Sequence, residues 1–216
     1  VSVPERKETP STRGAVIHWA ARYDALVWLL TLGRERVFRE KVIRLARLGA
    51  GEAVLDVGCG TGTLAIAAKR LAGPGGTVCG IDASPEMIAR ARKKAKKAGV
   101  EVVLEHAVAE SLPYADARFD VVLASMVIHH LPRDARQQCF CEMRRVLKPG
   151  GRMLAVDFGG SSGKPRGLMA HVHHHIQFDL RAVIPSLREA GLNDLESGAV
   201  GFGGLQFVLA AAPSGV

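Results

Sequence analysis

The sequence predicts an α/β sandwich: a mostly parallel, seven-stranded sheet ending in an antiparallel hairpin, with helices on both faces. Three observations carry that prediction. Short apolar, β-branched runs alternate with stretches of helical period along most of the chain. The first run ends in a glycine turn that opens directly into a helix, over Val54-Leu55-Asp56-Val57-Gly58-Cys59-Gly60-Thr61-Gly62-Thr63-Leu64-Ala65. The last two runs, 192–200 and 205–211, are joined only by Gly201-Phe202-Gly203-Gly204, which is too short for a crossover helix and long enough for a hairpin.

The chain has 216 residues, enough for one domain with a full core. Residues 1–14 are polar, carry Pro4 and Pro10 and lack an apolar signal core, so they read as a disordered leader. Residues 15–48 form an N-terminal helical cap. It holds the apolar segment 17–32 with His18, Trp19, Tyr23 and Trp28, then an amphipathic helix over 34–48. Val37, Phe38, Val42, Leu45 and Ala46 fall near one face of that helix, and Arg36, Arg39, Arg44 and Arg47 spread over the other. The α/β domain proper occupies 49–216.

Within it, residues 53–57 read as a strand buried on both faces. Glycines at 58, 60 and 62 allow a tight bend and a close approach by a ligand. The helix at 63–72 presents its unpaired first amides to whatever lies over the bend. The second strand, 77–82, ends on Asp82. Ser84, Pro85 and Glu86 then supply cap, first position and first-turn acid for a helix that Gly99 stops. Residues 101–105 form the third strand and 119–124 the fourth. The fourth leads into Ser125-Met126-Val127-Ile128-His129-His130-Leu131-Pro132. A helix over 134–147 is followed by a Lys148-Pro149-Gly150-Gly151 turn and the fifth strand, 152–158. The last helix is expected over 179–190.

Ligands of open α/β sheets sit outside the carboxyl ends of the strands. Asp56, Asp82, His129, His130 and Asp157 all fall there. The frame Gly60-x-Gly62-x-x-Ala65 fits a dinucleotide fingerprint, and an acid such as Asp82 about 20 residues on holds ribose hydroxyls. Asp56, two residues before the first glycine, decides the other half of the ligand. A carboxylate there repels a pyrophosphate and suits a cationic amine.

This stretch resembles motif I of the class I methyltransferases that use S-adenosylmethionine. The likeness runs from about Ala20 to the end of the chain. Ala21-Arg22-Tyr23-Asp24, Ser111-Leu112-Pro113-Tyr114, His129-His130-Leu131-Pro132 and Leu147-Lys148-Pro149-Gly150-Gly151 carry it. They are most similar to the quinone-biosynthesis C-methyltransferases and the bacterial phospholipid N-methyltransferases. The resemblance implies a Rossmann-like sandwich, with S-adenosylmethionine as cofactor and S-adenosylhomocysteine as product. It also implies that the N-terminal helical segment closes over the site. Asp56 would then hold the cofactor's amine, Gly58, Gly60 and Gly62 would admit its amino-acid tail, Asp82 would hold the ribose, and Ala83 would line the cofactor pocket. Met87, Ala109, Glu110 and Ser125 would complete the cofactor pocket. Val108 stands where many members have an aspartate for the adenine amino group, so backbone near Ala109, or Glu110, is expected to replace it. His129, His130 and Tyr23 are the base candidates. Asp157, His171, His174 and His175 are expected to line the acceptor pocket.

Composition narrows the partners. Net charge is +8, but only 5% of residues are aromatic and none interleave with the basic helices, which argues against nucleic acid. A basic, Trp-bearing N-terminal region suits a small-molecule or lipid-linked acceptor and peripheral contact with an anionic membrane face. Four cysteines in no secreted pattern fit a reducing, cytoplasmic setting, and Cys139-x-Cys141 is not a metal spacing. No metal site is expected, although His171, His174 and His175 share a helical face. The competing readings are an NAD(P) oxidoreductase, from the glycine frame and Asp82, and an inactive cofactor-binding module.

Overall fold

The computed structural model describes residues 12–16, 33–160 and 178–214. Helix α1 spans Glu35–Leu45. Strand β1 (Ala53–Val57) leads to α2 (Thr63–Ala72), β2 (Thr77–Asp82), α3 (Pro85–Ala98), β3 (Val103–His106) and β4 (Phe119–Ser125). A 3₁₀ turn at Ile128–His130 precedes α4 (Arg133–Val146) and β5 (Leu147–Phe158). After a 3₁₀ turn at Leu180–Val183 come α5 (Ile184–Glu189), β6 (Asn193–Ala199) and β7 (Leu205–Ala211). The seven strands lie in the order β3-β2-β1-β4-β5-β7-β6. The first five are parallel, and β7 runs antiparallel to both β5 and β6.

Strand parity sets the two layers. Val54, Val121, Leu123, Leu154 and Val156 pack against Phe38 and Val42 of α1 and Leu64, Ala65 and Ala68 of α2. Leu55, Val57, Val122, Ala124, Met153 and Ala155 pack against Cys139, Phe140 and Met143 of α4 and Leu187 of α5. By the same alternation Asp56 and Ser125 belong to the α1/α2 face and Asp157 to the α4/α5 face.

Local signals fix the helix ends. Ser84 Oγ accepts the Met87 amide at 3.2 Å, Pro85 holds the first position, and Gly99 closes α3 at φ 65°. Such a cap contributes about 1 kcal/mol. Three expectations need correction. In α1 the buried residues are Phe38, Val42 and Ile43, whereas Val37 is exposed. Lys148-Pro149-Gly150-Gly151 is a bulge inside β5: Leu147 already pairs with Phe119, and the register shifts before Val121 meets Arg152. Pro149 has no amide to give the ladder, Gly150 turns at φ 73°, and Lys148 Nζ reaches both oxygens of Asp120 at 2.8 Å. The last helix is split, because Pro185 starts α5 afresh after the 3₁₀ turn capped by Asp179.

Candidate active site

The glycine turn is built by its neighbours as much as for a ligand. Gly58, Gly60 and Gly62 all have positive φ. A Cβ on Gly58 would lie 2.4 Å from Val127 Cγ2, and one on Gly62 would lie 2.8 Å from Ala91 Cβ. Asp82 ties the turn to β2. Its Oδ2 accepts the Gly60 amide and its Oδ1 the Ser84 amide, both at 2.8 Å. Each oxygen keeps a lone pair that can accept a further donor. Burial raises the Asp82 pKa, and the Ser84 and Gly60 amides oppose that rise.

A pocket opens over this turn at the carboxyl ends of β1, β2 and β4. Gly58, Gly60, Asp82, Ala83, Met87, Ala109 and Glu110 line it, with His130 on the far wall. Asp56, Gly62 and Ser125 stand behind the lining. Asp56 is buried under the bend, where one oxygen takes the Ala65 amide and Oδ2 has no partner. Burial lifts its pKa to about 7, against the favourable charge of Arg39 and with the repulsion of Asp82. Val108 turns into the protein and bridges to Ser111, so it gives the pocket nothing. Glu110 does face the pocket, and its Oε2 is buried without a partner. Glu110, with one unpartnered buried oxygen, and Asp82 line the cleft, and Asp56, with another, lies beneath the glycine turn, a donor set that suits a nucleoside with an amino group and a cationic tail.

One wall of the pocket comes from the end of the segment read as a disordered leader and the start of the segment read as a helical cap. Thr12, Gly14, Ala15 and Val16 line it. Thr12 Oγ1 donates to Glu110 Oε1 at 2.6 Å, Ala15 N donates to His130 O at 3.1 Å, and Arg13 pairs with Asp134. Thr12 and Arg13, at the end of the segment read as a leader, thus contact the α/β domain. These contacts span about a hundred residues of chain, and nothing local in Thr12–Val16 announces them.

The two histidines divide sharply. His129 Nδ1 lies 2.7 Å from Asp157 Oδ1, and the His129 amide donates to Asp157 Oδ2 at 3.1 Å. Asp157 Oδ1 also accepts the Phe158 amide at 2.8 Å. A carboxylate at Nδ1 fixes the proton there and leaves Nε2 with its lone pair. The His129 ring sits 3.9 Å from that of His130 and edge-on to Phe158 at 5.0 Å. His130 lines the pocket, but burial, then the neighbouring His129, holds its pKa down at about 4. Met126, between β4 and these histidines, adopts φ 60°, an unusual strain for a side chain of its size. Tyr23, His171, His174 and His175 lie outside the described residues. Among the described residues no group of three or more His, Cys, Asp or Glu is placed to hold a metal ion.

The fold and pocket define an α/β protein with a cleft at the topological switch point of its sheet, the place where such folds take nucleoside ligands. Comparison with known proteins identifies which. Residues 54–151 match the methyltransferase domain family. The ubiquinone/menaquinone biosynthesis C-methyltransferase UbiE of Bdellovibrio bacteriovorus is 37% identical over 140 residues, 65% of this chain and 58% of that protein. UbiE of Pseudomonas putida is 32% identical over 197 residues, 90% of this chain and 74% of that protein. The chain thus spans less than two thirds of the first relative and about three quarters of the second. A SAM-dependent methyltransferase from Aquifex aeolicus shares the fold at TM-score 0.73 and 23% identity, over 89% of this chain and 97% of that one. The chain belongs to the class I S-adenosylmethionine-dependent methyltransferases and is similar to their quinone-biosynthesis group. S-adenosylmethionine is the cofactor of that family, and membership decides against the nicotinamide reading.

Proposed function

We propose that this chain methylates a ring carbon of a quinone-type acceptor in its reduced, hydroxylated form. The His129–Asp157 pair carries the reading. It supplies a buried, oriented base next to the wall of the cofactor pocket, and a phenolic acceptor arrives with a proton to lose. His130 is unsuited to that work, since a group with a pKa near 4 is a poor acceptor for a phenol's proton. The similarity to quinone C-methyltransferases supports the acceptor class.

Asp56 takes the cofactor's ammonium, Asp82 its ribose and Glu110 its adenine amino group. Bound there, the cofactor supplies an electrophilic methyl on a sulfonium. His129 Nε2 accepts the acceptor's hydroxyl proton, which concentrates electron density on the adjacent ring carbon. That carbon would take the methyl as the methyl–sulfur bond breaks, with the electron pair left on sulfur in neutral S-adenosylhomocysteine, and would then lose its hydrogen as a proton to water, restoring the aromatic ring. Asp157 keeps the imidazole oriented and balances its charge once protonated. The protein's larger contribution is alignment of carbon, methyl and sulfur, which can lower a barrier by roughly 7–11 kcal/mol.

A lipid-linked acceptor suits the surface of α1. Its apolar side is buried against the sheet, and Arg36, Arg44 and Arg47 remain exposed beside Arg70 of α2. This basic rim supports peripheral contact with an anionic membrane. Among the described residues no helix is long and apolar enough to cross one.

The test is methyl transfer from labelled S-adenosylmethionine to chemically reduced demethylated quinones, phosphatidylethanolamine and small amines, with the product bond located by mass spectrometry. Carbon methylation of the hydroquinone is expected. Transfer only to nitrogen, or cofactor binding with no transfer to any acceptor, refutes the assignment.

A further inference from the structure

Helices α1 and α2 pack on the same layer of the sheet and leave a groove of about 960 Å³ between them. Its apolar lining is Ile43, Leu48, Ile66, Ala67 and Leu71, and Leu71 is 46% exposed. Its charged lining is five arginines and two glutamates. The glutamates are taken: Arg36 pairs with Glu40 at 2.8 Å and Arg39 with Glu35 at 3.4 Å. Arg47 reaches Glu196 at 2.9 Å. Arg44 and Arg70 are exposed and form no ion pair among the described residues.

Basic residues alone make an ordinary solvated face, and helix α3 shows one. Arg90, Arg92, Lys93, Lys94, Lys96 and Lys97 give it a denser charge, but its large apolar residues, Met87 and Ile88, are buried. Among the described residues the exposed large hydrophobics are Val37, Leu71 and Val103, and the first two belong to α1 and α2. The α1/α2 groove thus joins two surplus cations to an apolar floor that reaches the surface. A free phosphate would use the cations and ignore the floor. An anion attached to a hydrocarbon chain uses both.

We infer that the α1/α2 groove is a docking site for an anionic phospholipid of a membrane surface, with the headgroup phosphate at Arg44 and Arg70 and the start of the acyl chain at Leu71. The inference rests on the peripheral membrane contact proposed above and gives that contact its place. It is independent of the cofactor and base assignments.

Co-sedimentation tests it, with vesicles of phosphatidylcholine alone and of phosphatidylcholine mixed with phosphatidylglycerol. The wild-type protein should prefer the mixed vesicles, less so as salt rises. Arg44→Gln with Arg70→Gln should weaken that binding about 30-fold, at about fivefold for each basic residue that meets an anionic surface. Leu71→Gln should weaken it about 3- to 10-fold with both arginines in place. Lys93→Gln with Lys97→Gln removes the same charge from α3 and should stay within about 3-fold of wild type. Melting temperature checks the fold of each variant. Wild-type protein that does not prefer the mixed vesicles removes the membrane contact and the groove with it. Undiminished binding by the Arg44→Gln/Arg70→Gln protein, or an equal loss in the α3 variant, leaves the membrane contact standing and overturns the groove. Binding insensitive to Leu71→Gln also overturns it, because surface charge alone would then suffice. If the double variant does not fold, Arg70→Gln and Leu71→Gln decide singly, and wild-type binding in both overturns the inference.

Discussion

Asp56 makes cofactor binding and folding depend on pH in opposite senses. Its pKa in the fold stands at about 7, raised by burial from an ordinary 3.8. The groups facing it are Arg39 from α1, which lowers it, Asp82 from β2, which raises it, and the Ala65 amide of α2, which lowers it. For a carboxyl raised on folding, the native state binds more protons than the unfolded state between those two values. The stability tied to the protonated form is therefore whole below about pH 4 and lost as pH climbs through 7. The rise from 3.8 to about 7 corresponds to about 4 kcal/mol as an upper bound. Asp56→Asn should thus match the wild-type protein at pH 4 and exceed its stability progressively up to pH 8, as read by urea unfolding. On the role proposed for Asp56 affinity runs the other way, because an ammonium pairs only with the ionised carboxylate. Below pH 7, S-adenosylhomocysteine affinity should fall about tenfold per unit, or about 1.4 kcal/mol, and it should level off above pH 8. Titration calorimetry from pH 5.5 to 8.5 reads this directly, with Asp56→Asn expected to bind more weakly and without the slope. A flat wild-type profile, or the same slope in Asp56→Asn, would show that the carboxylate is not the group that meets the ligand.

Other substitutions test the remaining parts of the site. His129→Gln and Asp157→Asn should each lower the methyl-transfer rate by about 10²–10⁴ with S-adenosylhomocysteine affinity unchanged; loss of affinity in step with rate would move the pair from chemistry to scaffolding. Asp82→Ala should weaken S-adenosylhomocysteine and adenosine alike by about 10-fold or more, since both carry the ribose, and an unaltered adenosine affinity would remove Asp82 from the contact. Gly58→Ala should destabilise the fold by about 1–3 kcal/mol, because the new Cβ meets Val127 and the backbone holds φ 69°; a melting temperature equal to wild type would contradict the packing.

What the sequence made legible follows from how local each signal is. Helix α3 is announced at both ends, by Ser84-Pro85 and by Gly99, so its limits read correctly. Strand β5 was read from Arg152 because Pro149 and the paired glycines mark a turn; that the turn is a bulge depends on Phe119 pairing with Leu147 on another strand. Periodicity gave α1 its apolar stripe but sent Arg39, whose side chain is only 12% exposed, to water. The one hint was its place on the border of the stripe, three residues before Val42 and next to Phe38. His129 and His130 are chemically identical in sequence, and only the turn after β4 decides which meets Asp157. The Thr12–Val16 wall had no local signal at all.

Strand parity also explains why two chemistries coexist at one sheet edge. Asp56 and Ser125 project to the α1/α2 layer, on the side of the glycine turn and of Arg39, whose Nη1 is 3.5 Å from Ser125 Oγ. Asp157, on β5, projects to the opposite layer, where Phe158 and Phe178 flank His129 with rings. On the proposed roles, the group that meets the cofactor's tail and the base that meets the acceptor lie on opposite faces of a close-packed sheet. A base placed on the cofactor's side would be exposed to the cofactor's ammonium and to the Arg39 guanidinium, and both would depress its proton affinity. On the proposed reading the sheet stands between that charge and the His129–Asp157 pair, and Asp157 Oδ1, 2.7 Å from Nδ1, orients the ring toward the acceptor's side.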